Sequence, residues 1–139
     1  MPWSLLEDCS KEMAGQVYSA DDLTKRAIAL AACKWTVDYL LPEDAVVRSA
    51  LTALERGDYG DDRLLASLQD HVDQLDLCYF DAQETRQDYQ PLFAKARVAG
   101  AVHAALGADP FRAVTRCLYE LCAAVGSELV QVQVDRVLS

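Results

Sequence analysis

The residues of this chain able to carry chemistry are two histidines, five cysteines and a crowd of short carboxylates. His71 stands in Asp70-His71-Val72-Asp73 and His103 in Ala101-Val102-His103-Ala104-Ala105. A metal site built on helices wants a Glu-x-x-His pair or its equivalent from more than one helix. Around His71 the needed offsets hold Gln69 and Gln74, and His103 has no acid within a turn on either side. No metal site is expected, so His71 reads as a surface residue paired with an aspartate and His103 as a helix-packing residue. Cys117 and Cys122 have four residues between them, not the two of a redox centre or zinc knuckle. At i and i+5 they point to different parts of a helix and read as core. Cys9, Cys33 and Cys78 also lie among apolar neighbours, where a reduced cysteine acts as a small hydrophobe. An odd number of cysteines with no secretory context fits a cytoplasmic, thiol-reduced chain.

Covalent and phosphate chemistry find no framework either. There is no Gly-x-Ser-x-Gly elbow and no glycine-rich phosphate loop, and Gly57-Asp58-Tyr59-Gly60 reads as a turn. No catalytic residue and no cofactor are expected, and the chain does not read as an enzyme.

The carboxylates are the stronger signal, because they are segregated. The 139 residues carry a net charge of −9. Between Glu43 and Gln90 there are 12 acids against four arginines (Arg48, Arg56, Arg63 and Arg86), a balance of −8 in that segment alone. Residues 91–139 carry four acids and five bases. A concentrated negative field steers a basic partner into contact and repels the phosphates of nucleic acid. The expected partner-binding set is Asp61, Asp62, Asp70, Asp73, Asp76, Asp81 and Glu84, with Tyr59 and Phe80 as aromatic anchors. Buried aromatic anchors ringed by charge are the usual anatomy of an interface hot spot. The competing reading is that the charged outer face of a helix only keeps the domain soluble.

Positioning these residues falls to helices. The composition is 52% hydrophobic, rich in Ala and Leu, with six glycines and four prolines, too few for the turns of a β-sandwich. Ser4-Leu5-Leu6-Glu7 has the form of a capping box opening a first helix to about Tyr18. A second follows Asp21-Asp22, with Leu23, Ala27, Ile28, Ala31, Trp35 and Tyr39 as its apolar stripe, and stops at Pro42. Trp35 is expected in the core and Trp3 at an exposed contact. A third runs from about Glu43, with Val46, Val47, Ala50, Leu51 and Leu54 inward, to the Gly57 turn. The fourth starts at Asp61-Asp62 and carries Leu64, Leu65, Leu68, Val72, Leu75 and Tyr79. The fifth spans about Pro91 to Leu106, and the sixth starts at Asp109-Pro110 and carries Val114, Leu118, Leu121, Val125, Leu129 and Val132. Its last turns alternate apolar and polar from Val130 to Val134 and have an extended tail as the alternative. The expectation is one all-α domain over residues 1–139, a bundle of about six helices. No segment has the roughly 18 consecutive apolar residues of a membrane span. The start, with Glu7 and Asp8 and no basic stretch, reads as no signal peptide.

The order of features resembles a family. Arg26 through Pro42, an Ala-rich helix with interior Cys33 and Trp35 leading into Leu41-Pro42, is similar to the second helix of the Imm-5-like immunity proteins. Val46-Val47-Arg48-Ser49-Ala50-Leu51 through Glu55-Arg56-Gly57-Asp58 resembles the next helix and acidic glycine turn of that family. Ala94 through Ala105 resembles its late Ala/Gly/His helix. The resemblance spans roughly residues 24–125 and departs in the fourth helix, where Asp70, Asp73 and Asp76 replace an Ala- and His-rich pattern. It implies a small helical protein that neutralises a toxin domain inside the producing cell, covering a basic active site with an acidic face and needing no catalytic residues. Two other readings remain open from the sequence. One is a homo-oligomer or adaptor joined through Leu129, Val132, Val134, Val137 and Leu138. The other is a ligand-binding or enzymatic bundle with a cavity near His103, Cys33 and Trp35.

Overall fold

A computed structural model describes residues 4–139, so Trp3 lies outside the described residues. Eight helices follow one another among them: α1 (Leu6–Cys9), α2 (Lys11–Ser19), α3 (Asp22–Leu40), α4 (Ala45–Arg56), α5 (Asp62–Glu84), α6 (Gln90–Ala105), α7 (Pro110–Val125) and α8 (Ser127–Leu138). The chain is all-α, with no strand among the described residues.

Eight helices replace the expected six because two predicted helices each divide. The first breaks at Ser10, whose backbone is extended (φ −162°, ψ 112°) and whose Oγ accepts from the Met13 amide at 3.1 Å. Ser10 is thus the side-chain cap, and the expected capping box of Ser4 and Glu7 does not form. Instead the Ser4 hydroxyl and the Glu7 carboxylate both meet the Tyr18 hydroxyl, at 2.9 and 3.1 Å, joining α1 to α2. The last predicted helix breaks at Gly126, where φ is 92° and ψ is 151°, a backbone region that side chains with a Cβ avoid. The segment beyond it is a helix rather than an extended tail, because Val130 and Val134 are buried there in the core.

Aspartates set half of the helix starts. Asp21, Asp44, Asp61 and Asp109 each accept backbone amides at the first turn of α3, α4, α5 and α7, each cap worth about 1 kcal/mol. Gly57 ends α4 in the left-handed conformation (φ 77°), with the Asp58 amide returning to the Ala53 carbonyl.

Helices α6 and α7 pack along each other at the centre, with α3 against both and α5 along the other side of α6. Val98, Val102, Leu118 and Leu121 are fully buried there with Ile28, Cys33 and Val37 of α3. Small residues such as Ala32, Ala99 and Ala101 let these axes approach. Cys33 and Cys117 meet at 3.3 Å between sulfurs. The expected stripe of α3 is rotated: Leu23 and Tyr39 are 81% and 60% exposed, Ala27 is exposed and Trp35 half-buried, while Ile28, Ala29, Ala32, Cys33 and Val37 are inside. Trp35 stacks on Tyr39 rather than filling the core. In α4, Val46 also faces out, whereas Val47, Ala50, Leu51 and Leu54 are buried as expected. No helix among the described residues is long and apolar enough to cross a membrane.

Candidate functional site

Helix α5 has two faces that matter. Leu64, Leu68, Val72, Leu75 and Tyr79 recur at three and four residues and turn toward the bundle. Opposite them, Asp70, Asp73, Leu77, Phe80, Asp81 and Glu84 share an outward arc of about 100°, since each residue turns the helix by about 100°. All six are exposed, and the two apolar side chains are 56% and 53% exposed. Phe80 leans on Tyr79, which in turn meets Tyr89 and Phe93, so the ring stands on an aromatic base rather than swinging free.

Not every acid of the expected set belongs to that arc. Asp61 is spent on capping α5, its carboxylate accepting from Arg63 and Leu64 amides at 3.1 and 3.2 Å. Asp62 is exposed in the first turn. Asp76 is half-buried and bound to Arg97 at 2.9 Å. Tyr59 sits apart, under the Arg26 guanidinium at 3.7 Å from its ring centre. Arg26 also donates to the carbonyls of Ala105, Gly107 and Ala108, closing the C-terminal end of α6. The Gly60 amide donates to Leu106 O at 2.8 Å, so the Tyr59 turn is fastened to α6. His71 is paired with an aspartate, but with Asp44 of α4 at 2.7 Å rather than with a neighbour on its own helix. Burial raises the Asp44 carboxyl, and the Val47 amide and His71 outweigh it, leaving it below its ordinary value.

Between α5, α6 and α7 lies a groove of about 710 Å³. Leu65, Gln69, Val72 and Asp76 supply its α5 wall at a strict helical spacing. From α6 come Arg97, Gly100, His103 and Ala104, and from α7 come Arg112, Arg116 and Glu120. Arg97 is the knot of the site, donating to Asp76 and to Glu120 at 2.9 Å each and so tying three helices together. Its Nε is buried without a partner among the described residues. His103 is half-buried; burial pushes its pKa below the ordinary value, helped by the Arg116 charge and opposed by the Leu65 backbone and the Asp73 carboxylate of α5. The ring is therefore neutral at pH 7. Arg112 and Arg116, one turn apart on α7, are exposed and form no ion pair among the described residues. No group of three or more His, Cys, Asp or Glu able to hold a metal ion occurs among the described residues.

The expected cavity near His103, Cys33 and Trp35 is thus corrected in its membership. His103 lines the groove, but Cys33 is fully buried against Cys117 and Trp35 stacks on Tyr39 away from it. The arginines of the groove escaped the sequence reading. Their one linear signal is that residues 91–139 alone carry more bases than acids, with Arg112 and Arg116 at i and i+4. Comparison with protein-family models, with curated proteins and with solved structures yields no match to this chain.

Proposed function

We propose that this chain is a protein-binding helical domain whose contact surface is the outer face of α5 and whose partner is a basic protein domain. The observation that carries this reading is the exposure of Leu77 and Phe80 within the ring of Asp70, Asp73, Asp81 and Glu84. An isolated exposed hydrophobe is ordinary. Two large ones side by side, framed by four like charges on one helix face, match the apolar centre and charged rim of a hot spot. The helix tolerates repulsion of a few tenths of a kcal/mol per like-charged pair to keep those acids there. In its most concrete form the domain is a cytoplasmic immunity protein that covers the basic active site of a toxin domain, the role implied by the resemblance of Arg26–Pro42 and Ala94–Ala105. It acts by occupation and performs no catalysis.

The test is capture of partners by tagged protein from its own lysate at low and moderate salt, repeated with Asp70→Lys/Asp73→Lys and with Phe80→Ala. One basic partner is expected, released as salt rises. It should be lost on charge reversal and weakened about tenfold or more by the Phe80 truncation. Equal capture by all three proteins would remove α5 from the interface.

A second reading has its own observation. Leu129 and Val132, one turn apart on α8, are 40% and 44% exposed, an apolar pair suited to a second copy of the chain. If the tagged protein captures only itself, and Leu129→Glu returns it to a monomer, self-association takes the place of partner binding.

A further inference from the structure

The groove between α5, α6 and α7 is lined by residues other than those of the α5 outer face and, unlike that face, gathers arginines. This chain carries −9 overall, yet three of its arginines and its half-buried histidine converge on one concavity. Of the arginines, Arg97 is already neutralised by Asp76 and Glu120. The remaining acid of the lining, Asp109, is engaged with the Phe111 amide at the start of α7. The lining thus balances three arginines against three carboxylates, and within it Arg112 and Arg116 are the guanidinium groups that form no ion pair among the described residues, beside the half-buried His103.

We propose that this groove is a binding site for a small organic oxyanion, a molecule bearing a phosphate or carboxylate group. Guanidinium groups present paired N–H donors that match the two oxygens of either group, and such charge-assisted bonds are the strong ones. Arg112 and Arg116 grip the anionic end. The neutral His103 offers a ring nitrogen, and Gln69 offers an amide, to hydroxyl or amide groups of the ligand body. Leu65, Val72 and Ala104 give the groove an apolar wall. The volume falls inside the span of about 300–1,000 Å³ common to small-molecule sites. Gly100 keeps the floor open: a Cβ there would come no nearer than 3.8 Å to Glu120 Oε2, so the helix would accept a side chain that the sequence does not supply.

Arg112 and Arg116 also border a smaller hollow of about 340 Å³ near Ser4 and Phe111, which Gly100 does not line. The experiment therefore uses two variants. Pyrophosphate and citrate are titrated against the whole chain at constant ionic strength, with sodium chloride as the control, and binding is read by thermal shift and calorimetry. The wild type should show a saturable rise in Tm with at least one oxyanion beyond the chloride control. Preference between the two assigns the tetrahedral or the planar head group. Arg112→Gln/Arg116→Gln, at two exposed positions free of ion pairs, should weaken binding by about tenfold or more per arginine. Gly100→Leu should abolish it by filling the floor. No saturable shift with either probe overturns the proposal, as does a double variant that binds like the wild type. Loss in the arginine variant with full binding by Gly100→Leu also overturns it, by moving the ligand to the smaller hollow.

Discussion

Replacing Arg97 with methionine should be among the most damaging changes available on the polar side of the bundle, and its size follows from geometry. The guanidinium is 24% exposed and bonded at 2.9 Å to Asp76 and to Glu120, themselves 29% and 20% exposed. Removing one member of a fully buried ion pair costs about 3–5 kcal/mol, chiefly through the charge left behind. An exposed pair contributes about 0–1 kcal/mol. With a quarter of each side chain in water, and two carboxylates stranded on facing helices, the cost comes to about 2 kcal/mol. For a chain of this length that lowers Tm by about 8 °C. Urea unfolding at pH 7 measures it, and a cycle gives a sharper signature than the single variant. Asp76→Asn/Glu120→Gln should destabilise the wild type by about 1–2 kcal/mol, because Arg97 then loses its partners. In the Arg97→Met background the same double change should stabilise, because it removes repulsion between orphaned charges. A loss under about 0.5 kcal/mol for Arg97→Met, or the same sign in both backgrounds, would refute the view that this residue locks α5, α6 and α7.

The remaining predictions concern titration and thiols. His103 has its pKa lowered in the fold, largely by burial, so the unfolded chain takes up its proton first. The associated stability is complete above the unfolded value near 6.5 and declines as pH falls below it toward the folded value. His103→Gln should flatten that part of the stability curve between about pH 7 and 5, and an unchanged slope would show that the ring stays hydrated. Of the five cysteines, Cys78 alone is exposed. Burial pushes the Cys122 thiol up to about 12 and raises Cys9, and the Cys33 contact, with burial, holds Cys117 well above its ordinary value. A thiol reagent at pH 8 should therefore modify one cysteine per native chain quickly and the others only on unfolding, with Cys78→Ser removing the fast phase.

Helix ends were the most legible part of the fold. Asp21, Asp61 and Asp109 cap where local chemistry predicts, Asp44 caps one residue past the expected start at Glu43, and Gly57 and Pro42 stop where they should, because caps and stops depend on a few adjacent residues. Helix faces were legible where polar and apolar residues separate cleanly, as along α5. They were not legible along α3, where Ala27 and Ala31 read the same as Ala29 and Ala32, and only packing against α7 and α8 decides which are inside. The break at Ser10 was hidden because apolar residues continue at helical spacing from Leu6 to Val17 across it. Of the expected binding residues, α5 brings Asp70, Asp73, Phe80, Asp81 and Glu84 onto one exposed face. It draws Asp76 inward to Arg97, and Tyr59 is pinned by Arg26. The groove was invisible for a plainer reason: its residues come from three helices, and no spacing within one of them brings Arg97, Asp76 and Glu120 together.

The charge of the central segment thus divides into acids that build the fold and acids that face solvent, and the two groups answer to different perturbations. Asp44, Asp61 and Asp76 hold helix ends and a neighbouring helix, so neutralising them changes stability whatever the protein binds. Asp70, Asp73, Asp81 and Glu84 are exposed on the outer arc of α5; apart from a hydrogen bond that the Gln69 side-chain amide donates to Asp73, their side chains make no hydrogen bond or ion pair among the described residues. On the proposed reading their effect appears in association, chiefly in its rate and salt dependence, while Leu77 and Phe80 govern how long a complex lasts. Arg112 and Arg116 point the opposite way in charge and lie across the groove from that arc. Reversing Asp70, Asp81 and Glu84 leaves the groove intact, whereas Asp73 accepts from Gln69 of the groove lining and acts on His103, and neutralising the two arginines leaves the arc intact. The proposed partner surface and the proposed oxyanion site can therefore fail separately, and a single variant away from Asp73 that disabled both would mean that α5 itself, rather than either surface, had been displaced.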